Sequence, residues 1–254
     1  MTIWEVYTKN MTSEIIKKCR TLLRAYEKGL LGDQNMPEDC HPVFKTKEEK
    51  LTYFTLPMAL NYQRDSYKLW QAAKKTFEDK ETRDVYNLRN VARMDESVLR
   101  EKLLKHKLAL QPVKHIQTWH KISKTIFENW ETLNNFFETN KNDFLLIKNA
   151  TQLAYKKAFP YLSGPKIFNY WSFIISTYGG VSLSNKEFIE IAPDTHITKC
   201  SVKLGVTTQE ESNTLSKDQV SERWRKILSG SGILPIEMHP PLWFWGRNGF
   251  KFKI

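Results

Sequence analysis

Apolar residues recur along this chain at three- and four-residue spacing, and almost nowhere at spacing two. A helix brings a side chain back to the same face about every 3.6 residues and a strand every second residue, so the pattern restricts the fold to helices. In 13–31, SEIIKKCRTLLRAYEKGLL, the repeat follows Ser13 as candidate N-cap and stops near Gly32. Two more repeats cover 47–62 and 64–78, after a Pro-containing loop over 33–46. Asp95 can cap a helix whose Val98, Leu99, Leu103 and Leu104 point inward, and Pro112 opens the next one. Helical spacing returns in 142–159, in 165–178, and on both sides of a Gly-Ser break near residue 230. The polar stretch 206–219 reads as a loop or a capped helix start. Only FKFKI at the C-terminus alternates, and it is short. The expected fold class is all-α, with no repeat of solenoid period.

At 254 residues the chain can form one large domain or two small ones. Lys and Arg total 39 against 28 Asp and Glu, a net charge of +11, which favours an anionic partner and above all nucleic acid. The eight Trp, ten Tyr and fourteen Phe mainly fill a core, though rings can also stack on bases. The three cysteines, Cys19, Cys40 and Cys200, are far apart and form no CxxC pair or metal cluster. A reducing intracellular compartment is expected, cytoplasmic or, in a eukaryote, nuclear, with no metal and no cofactor. No apolar run approaches the roughly 20 residues that span a bilayer, so no membrane partner is expected.

Two stretches combine residue types suited to chemistry. In AFPYLSGPKIFNYW, 158–171, a Pro- and Gly-containing turn delivers Lys166 to a helix start, with Ile167, Phe168, Tyr170, Trp171 and Phe173 behind it. Those rings are expected to form an apolar wall that leaves part of the lysine neutral, and a neutral amine is a nucleophile. In EIAPDTHITKCSVKLGV, 190–206, Pro193 precedes a helix capped by Asp194 or Thr195 and stopped by Gly205. Taken alone, Asp194 is an N-cap and Lys166 a helix-start lysine; His196 and His239 read as packing residues.

Together the two stretches resemble the helix-hairpin-helix DNA glycosylase superfamily, typified by endonuclease III and the oxoguanine glycosylases. Its hairpin reads roughly Leu-Pro-Gly-Val-Gly-x-Lys, matched at its end by Gly164-Pro165-Lys166; its Asp-Thr-His helix start is matched by Asp194-Thr195-His196. Lys199 to Gly205 keeps the family's basic and apolar order. Gln63 in ALNYQRDSYKLWQAAKKTF and the pattern His239, Leu242, Gly246, Arg247 are further matches, so the resemblance spans about residues 50–250. Leu162 stands where the family has the first hairpin glycine, and 28 positions separate Lys166 from Asp194 (194 − 166), longer than in endonuclease III. That length suggests a divergent branch such as the archaeal-type oxoguanine glycosylases. After Arg247 the chain has Asn248-Gly249-Phe250 where the family often supplies iron-sulfur cysteines.

The resemblance implies a two-lobed fold, with a helical barrel over 50–178 ending in the hairpin and a second lobe from 1–49 plus 179–254. It implies a monomeric enzyme that flips a damaged base, such as 8-oxoguanine, out of double-stranded DNA, excises it and cleaves the strand through a Lys166 Schiff base, assisted by Asp194. Gln63, with Arg64, would fill the vacated space, and the amides of Leu162, Ser163 and Gly164 would hold a DNA phosphate. Two other outcomes fit the same motifs: a DNA-binding protein of this family without catalysis, and a glycosylase for alkylated or mismatched bases that releases the base without cutting the strand.

Overall fold

The helical spacing is realised throughout. The computed structural model describes residues 3–61 and 64–254, with side-chain surroundings from Met11 onward. Among the described residues the chain is all-α: thirteen α-helices joined by turns and short 3-10 segments, with one isolated bridge between Asp143 and Ser184 and no strand. None of these helices is long and apolar enough to cross a membrane.

Two compact units result, one from 36–186 and the other from 1–35 with 187–254. The first helix, α1 (Ile3–Glu27), belongs to the second of these. It starts ten residues before Ser13, so Ser13 is an interior helical residue and not its cap. The positive φ of Gly32, 96°, does match a chain reversal just beyond the helix.

The 36–186 unit is built on α2 (Lys47–Ala59), whose start is capped by Thr46 Oγ1 accepting from the Glu49 amide at 3.1 Å. Every residue from Leu51 to Ala59 is buried, as expected for a helix apolar all round. The rings of Phe44, Tyr53, Phe54, Trp70 and Phe77 gather against it, with Phe44 to Tyr53 at 5.1 Å and Tyr53 to Trp70 at 5.9 Å. Around it run α3 (Ser66–Glu78), α4 (Leu88–Arg93), α5 (Glu96–Lys105), α6 (Lys114–Trp130), α7 (Leu133–Thr139), α8 (Phe144–Asn149) and α9 (Pro165–Thr177). In α5 the inward residues are Leu99 and Leu103; Val98 is exposed, because positions four apart share a face and its neighbour does not. Helix α9 buries Phe168, Trp171, Ile174 and Ile175, and Trp171 Nε1 donates to Thr55 Oγ1 of α2 at 3.0 Å. Residues 36–40 join this unit through tyrosines of the same region: Tyr170 donates to Glu38 at 2.7 Å and Tyr178 to Asp39 at 2.8 Å.

The other unit combines α1 with α10 (Thr195–Leu204), α11 (Gln209–Thr214), α12 (Lys217–Leu228) and α13 (His239–Arg247). The polar 206–219 stretch holds two capping boxes, Thr208 with Glu211 and Ser216 with Gln219, which start α11 and α12. Helices α10 and α13 approach so closely that a Cβ on Gly246 would sit 3.1 Å from Cys200 Sγ and 3.2 Å from His196 Cβ. Trp224 Nε1 donates to Ser201 Oγ at 2.9 Å, and Tyr26 of α1 stacks on Phe244 at 5.9 Å.

Candidate nucleic-acid interface

The turn that delivers Lys166 starts from a widened helix. After α8 the chain runs through a π-helical turn, Ala150–Ala154, and a 3-10 turn, Lys156–Ala158. Phe159 and Leu162 then plug the turn into the core, each fully buried. Tyr161 takes a positive φ of 59° to reverse the chain. A Cβ on Gly164 would lie 3.1 Å from Tyr161 O, which explains why this glycine is present although its own φ is an ordinary −68°.

The geometry alters the expectation for the turn's amides. Leu162 N donates to Pro160 O at 2.7 Å, Ser163 N to Phe159 O at 2.9 Å and Gly164 N to Tyr161 O at 2.9 Å. Three amides expected to hold a phosphate are thus consumed inside the turn. With Leu162 in place of a glycine, its side chain goes to the core and the turn tightens on itself. Pro165 at the first position of α9 has no N–H, so the helix start offers only its next amides.

Lys166 is exposed at the second position of α9, and no side chain caps that helix. The rings behind it leave it exposed: Phe168 and Trp171 turn into the core, where they lie 5.5 Å from Phe144 and Phe137 respectively, while Tyr170, four positions on and on the lysine's side of the helix, stacks on Phe173 at 5.9 Å and donates to Glu38. Helical spacing is the reason, since a residue at the wet second position cannot share a face with the buried fourth and seventh.

Arg64 is also committed within the fold. Its guanidinium donates to the carbonyls of Leu108 and Lys107, the latter at 3.0 Å, and burial pushes its pKa down to about 10. It therefore fastens the α5–α6 loop. In that loop Leu110 N donates to His115 Nδ1 at 3.2 Å, while burial, reinforced by the Arg64 charge, pushes His115 down to about 4. An imidazole that accepts at Nδ1 and stays neutral carries its proton on Nε2, which is buried and has no partner among the described residues. Tyr161 lies edge-on to His115 at 6.3 Å and its hydroxyl is 3.5 Å from Gln111 Oε1. The α5–α6 loop and the turn before α9 thus form one neighbourhood. Gln63 lies outside the described residues.

Asp194 belongs to the other unit. It is half-buried and is the N-cap of α10, with Oδ1 accepting from Ile197 N at 2.9 Å. Gly205 ends that helix at φ 81°, the left-handed position the sequence places there. His196 packs edge-on against Trp243 at 6.1 Å.

Sequence reading missed two features. Glu38 sits in a segment read as a polar loop, yet it is 1% exposed and burial pushes its carboxyl up to about 7. A cavity of about 790 Å³ in the 36–186 unit is lined by Glu48, Arg83, Arg89 and Phe127, and none of the residues singled out from the sequence lines it. Its carboxylates are largely engaged: Glu48 accepts from the Leu133 and Asn134 amides at 2.8 and 2.9 Å, and Glu49 takes Arg83 at 3.0 Å.

No protein-family model matches the chain, and no curated protein matches its sequence. The resemblance to the glycosylases therefore rests on the motif residues themselves.

Proposed function

We propose that this protein is a DNA glycosylase with strand-cleaving lyase activity, acting as a monomer on duplex DNA that carries a damaged base. Lys166 is its nucleophile and Asp194 its carboxylate. One observation supports the reading above the rest: both motifs stand at helix starts, Lys166 in the first turn of α9 directly after a buried turn and Asp194 as the cap of α10. Oxidised guanine is the first substrate to test, on analogy with the family.

In this reading the neutral Lys166 amine attacks the anomeric carbon, the bond to the base breaks, and the base leaves with a proton. The substituted ammonium passes one proton to the sugar's ring oxygen as the bond from that oxygen to the anomeric carbon breaks, which leaves an iminium ion and a free hydroxyl. Loss of a 2′ proton then expels the 3′ phosphate, and water releases the lysine. A carboxylate next to the sugar stabilises the positive charge that develops there. Because Lys166 is exposed, bound DNA and not the α9 rings would have to remove water from the amine.

Borohydride trapping tests the reading. A covalent protein–DNA adduct should form on an abasic or 8-oxoguanine duplex and disappear in Lys166→Gln. The exposed lysine and the internally satisfied turn favour one rival, a DNA-binding protein of the same family without catalysis. It predicts retained binding and no adduct from the unaltered protein.

A further inference from the structure

We propose that this protein grips the phosphates of duplex DNA through lysine side chains on the two segments flanking the turn before α9, and not through the turn's amides. The proposal rests on the nucleic-acid reading above and specifies the surface that carries it.

The amides of Leu162, Ser163 and Gly164 are spent on carbonyls of their own turn, so a polyanion must be met by something else. The sequence places the alternative beside them. Between Glu101 and Glu128, and again between Asp143 and Glu187, there is no Asp or Glu, and these are the two longest acid-free stretches of the chain. The first contains the α5–α6 loop and the second the π-helical turn, the 3-10 turn and the start of α9. The fold joins them: Tyr161 meets His115 and Gln111 of the loop, and Gln152 Nε2 donates to Ser163 O at 3.1 Å.

Lys107, Lys114, Lys156 and Lys157 are all exposed on these segments, and none has a side-chain ion pair or hydrogen bond among the described residues. Nearby lysines behave differently where acids are in reach. Lys102 pairs with Asp84 at 2.8 Å and Lys105 with Asp79 at 2.8 Å. Unpaired cations on segments that carry no acids of their own repel one another in the free protein, and an anionic partner relieves that repulsion.

Apolar groups stand among the lysines. The π-helical turn widens the helix and leaves Leu153 72% exposed; Leu110 and Val113 of the loop are each 52% exposed. A π-turn at a functional surface is a recurrent use of that geometry. Lysines interleaved with apolar contacts suit a nucleic-acid backbone, where phosphates take the charge and sugars the apolar surface.

The test is the salt dependence of binding to an undamaged duplex. Each phosphate-contacting lysine removed should lower the slope of log affinity against log salt by about one. The variant K107Q/K114Q/K156Q/K157Q should therefore lose about three to four units of slope. A control that removes the same charge elsewhere, K17Q/K28Q/K251Q/K253Q, should lose less than one. Leu153→Ser should weaken binding severalfold with the slope unchanged, because an apolar contact releases no counterions. Equal slope losses in the two fourfold variants, or none in the first, would overturn the proposal. Thermal melts confirm that these surface changes leave the fold intact. Trapping is scored separately: an adduct with no lysine-dependent slope defeats this proposal alone, whereas lysine-dependent binding without any adduct defeats the catalytic reading alone.

Discussion

The starts of α9 and α10 look alike in the sequence, each a proline-marked entry followed by a residue suited to chemistry, yet the structure uses them in opposite ways. At α10 the polar residue secures its own helix: Asp194 accepts the Ile197 amide at 2.9 Å. At α9 the polar residue secures nothing. Lys166 is exposed, and the helix is held without it, by Trp171 donating to Thr55 at 3.0 Å from the buried face and by Tyr170 donating to Glu38 at 2.7 Å. One chemical residue is thus welded into stability and the other is independent of it. Changing Lys166 should report on function alone, whereas changing Asp194 mixes function with folding.

The largest expected effect breaks the comparison outright. Lys166→Gln should abolish borohydride-trapped adduct while leaving the melting temperature within a degree. A fall of several degrees would mean that the lysine does hold the fold.

Next in size is the anchor of α9. Glu38 is buried, and its carboxyl is pushed up to about 7 from an ordinary value of 4.5, chiefly by burial. The folded state therefore binds a proton more tightly than the unfolded chain. The stability from this group is complete below about pH 4.5 and is lost as pH rises through about 7, about 3 kcal/mol in all. Glu38→Gln should flatten that part of the denaturation profile and make the variant more stable than the parent at pH 8. An unchanged profile would show that Glu38 is ionised in the fold at neutral pH.

Smaller still is the cap of α10. Asp194→Ala should cost about 1 kcal/mol, measured by denaturant unfolding, whereas Asp194→Asn keeps a good cap and should cost only a few tenths. The pair sharpens the comparison, because the catalytic reading expects base release to fall steeply in both. Activity that follows stability, lost in Ala and kept in Asn, would leave Asp194 as a cap and nothing more.

How much of this was legible follows the range of the interactions involved. The helical class, the Gly205 stop and the start of α9 at Pro165 are set by neighbours within a few residues, and the sequence reading identifies each of them; for the cap of α10 it offers Asp194 or Thr195, of which the structure uses Asp194. The engagement of Arg64 depends on carbonyls 43 and 44 positions away, and the burial of Glu38 on a tyrosine 132 positions away. No local pattern encodes contacts at that range. The turn amides are an intermediate case. The sequence shows a leucine in place of a glycine, but only the positive φ at Tyr161 reveals that the turn closes on its own carbonyls. Phe168 and Trp171 mislead for a simpler reason: they are close to Lys166 along the helix but lie on its opposite, buried side.

Building one unit from both ends of the chain also has a consequence for how the protein is made. Residues 1–35 leave the ribosome before 36–186, and their partners among 187–254 only after it. At about 5–20 residues per second, α1 waits roughly ten to forty seconds with Cys19 and Leu22 uncovered, while 36–186 has all of its own helices in hand. During synthesis the 36–186 unit is thus able to fold before α1 is covered, and nascent α1 is a segment a chaperone would meet.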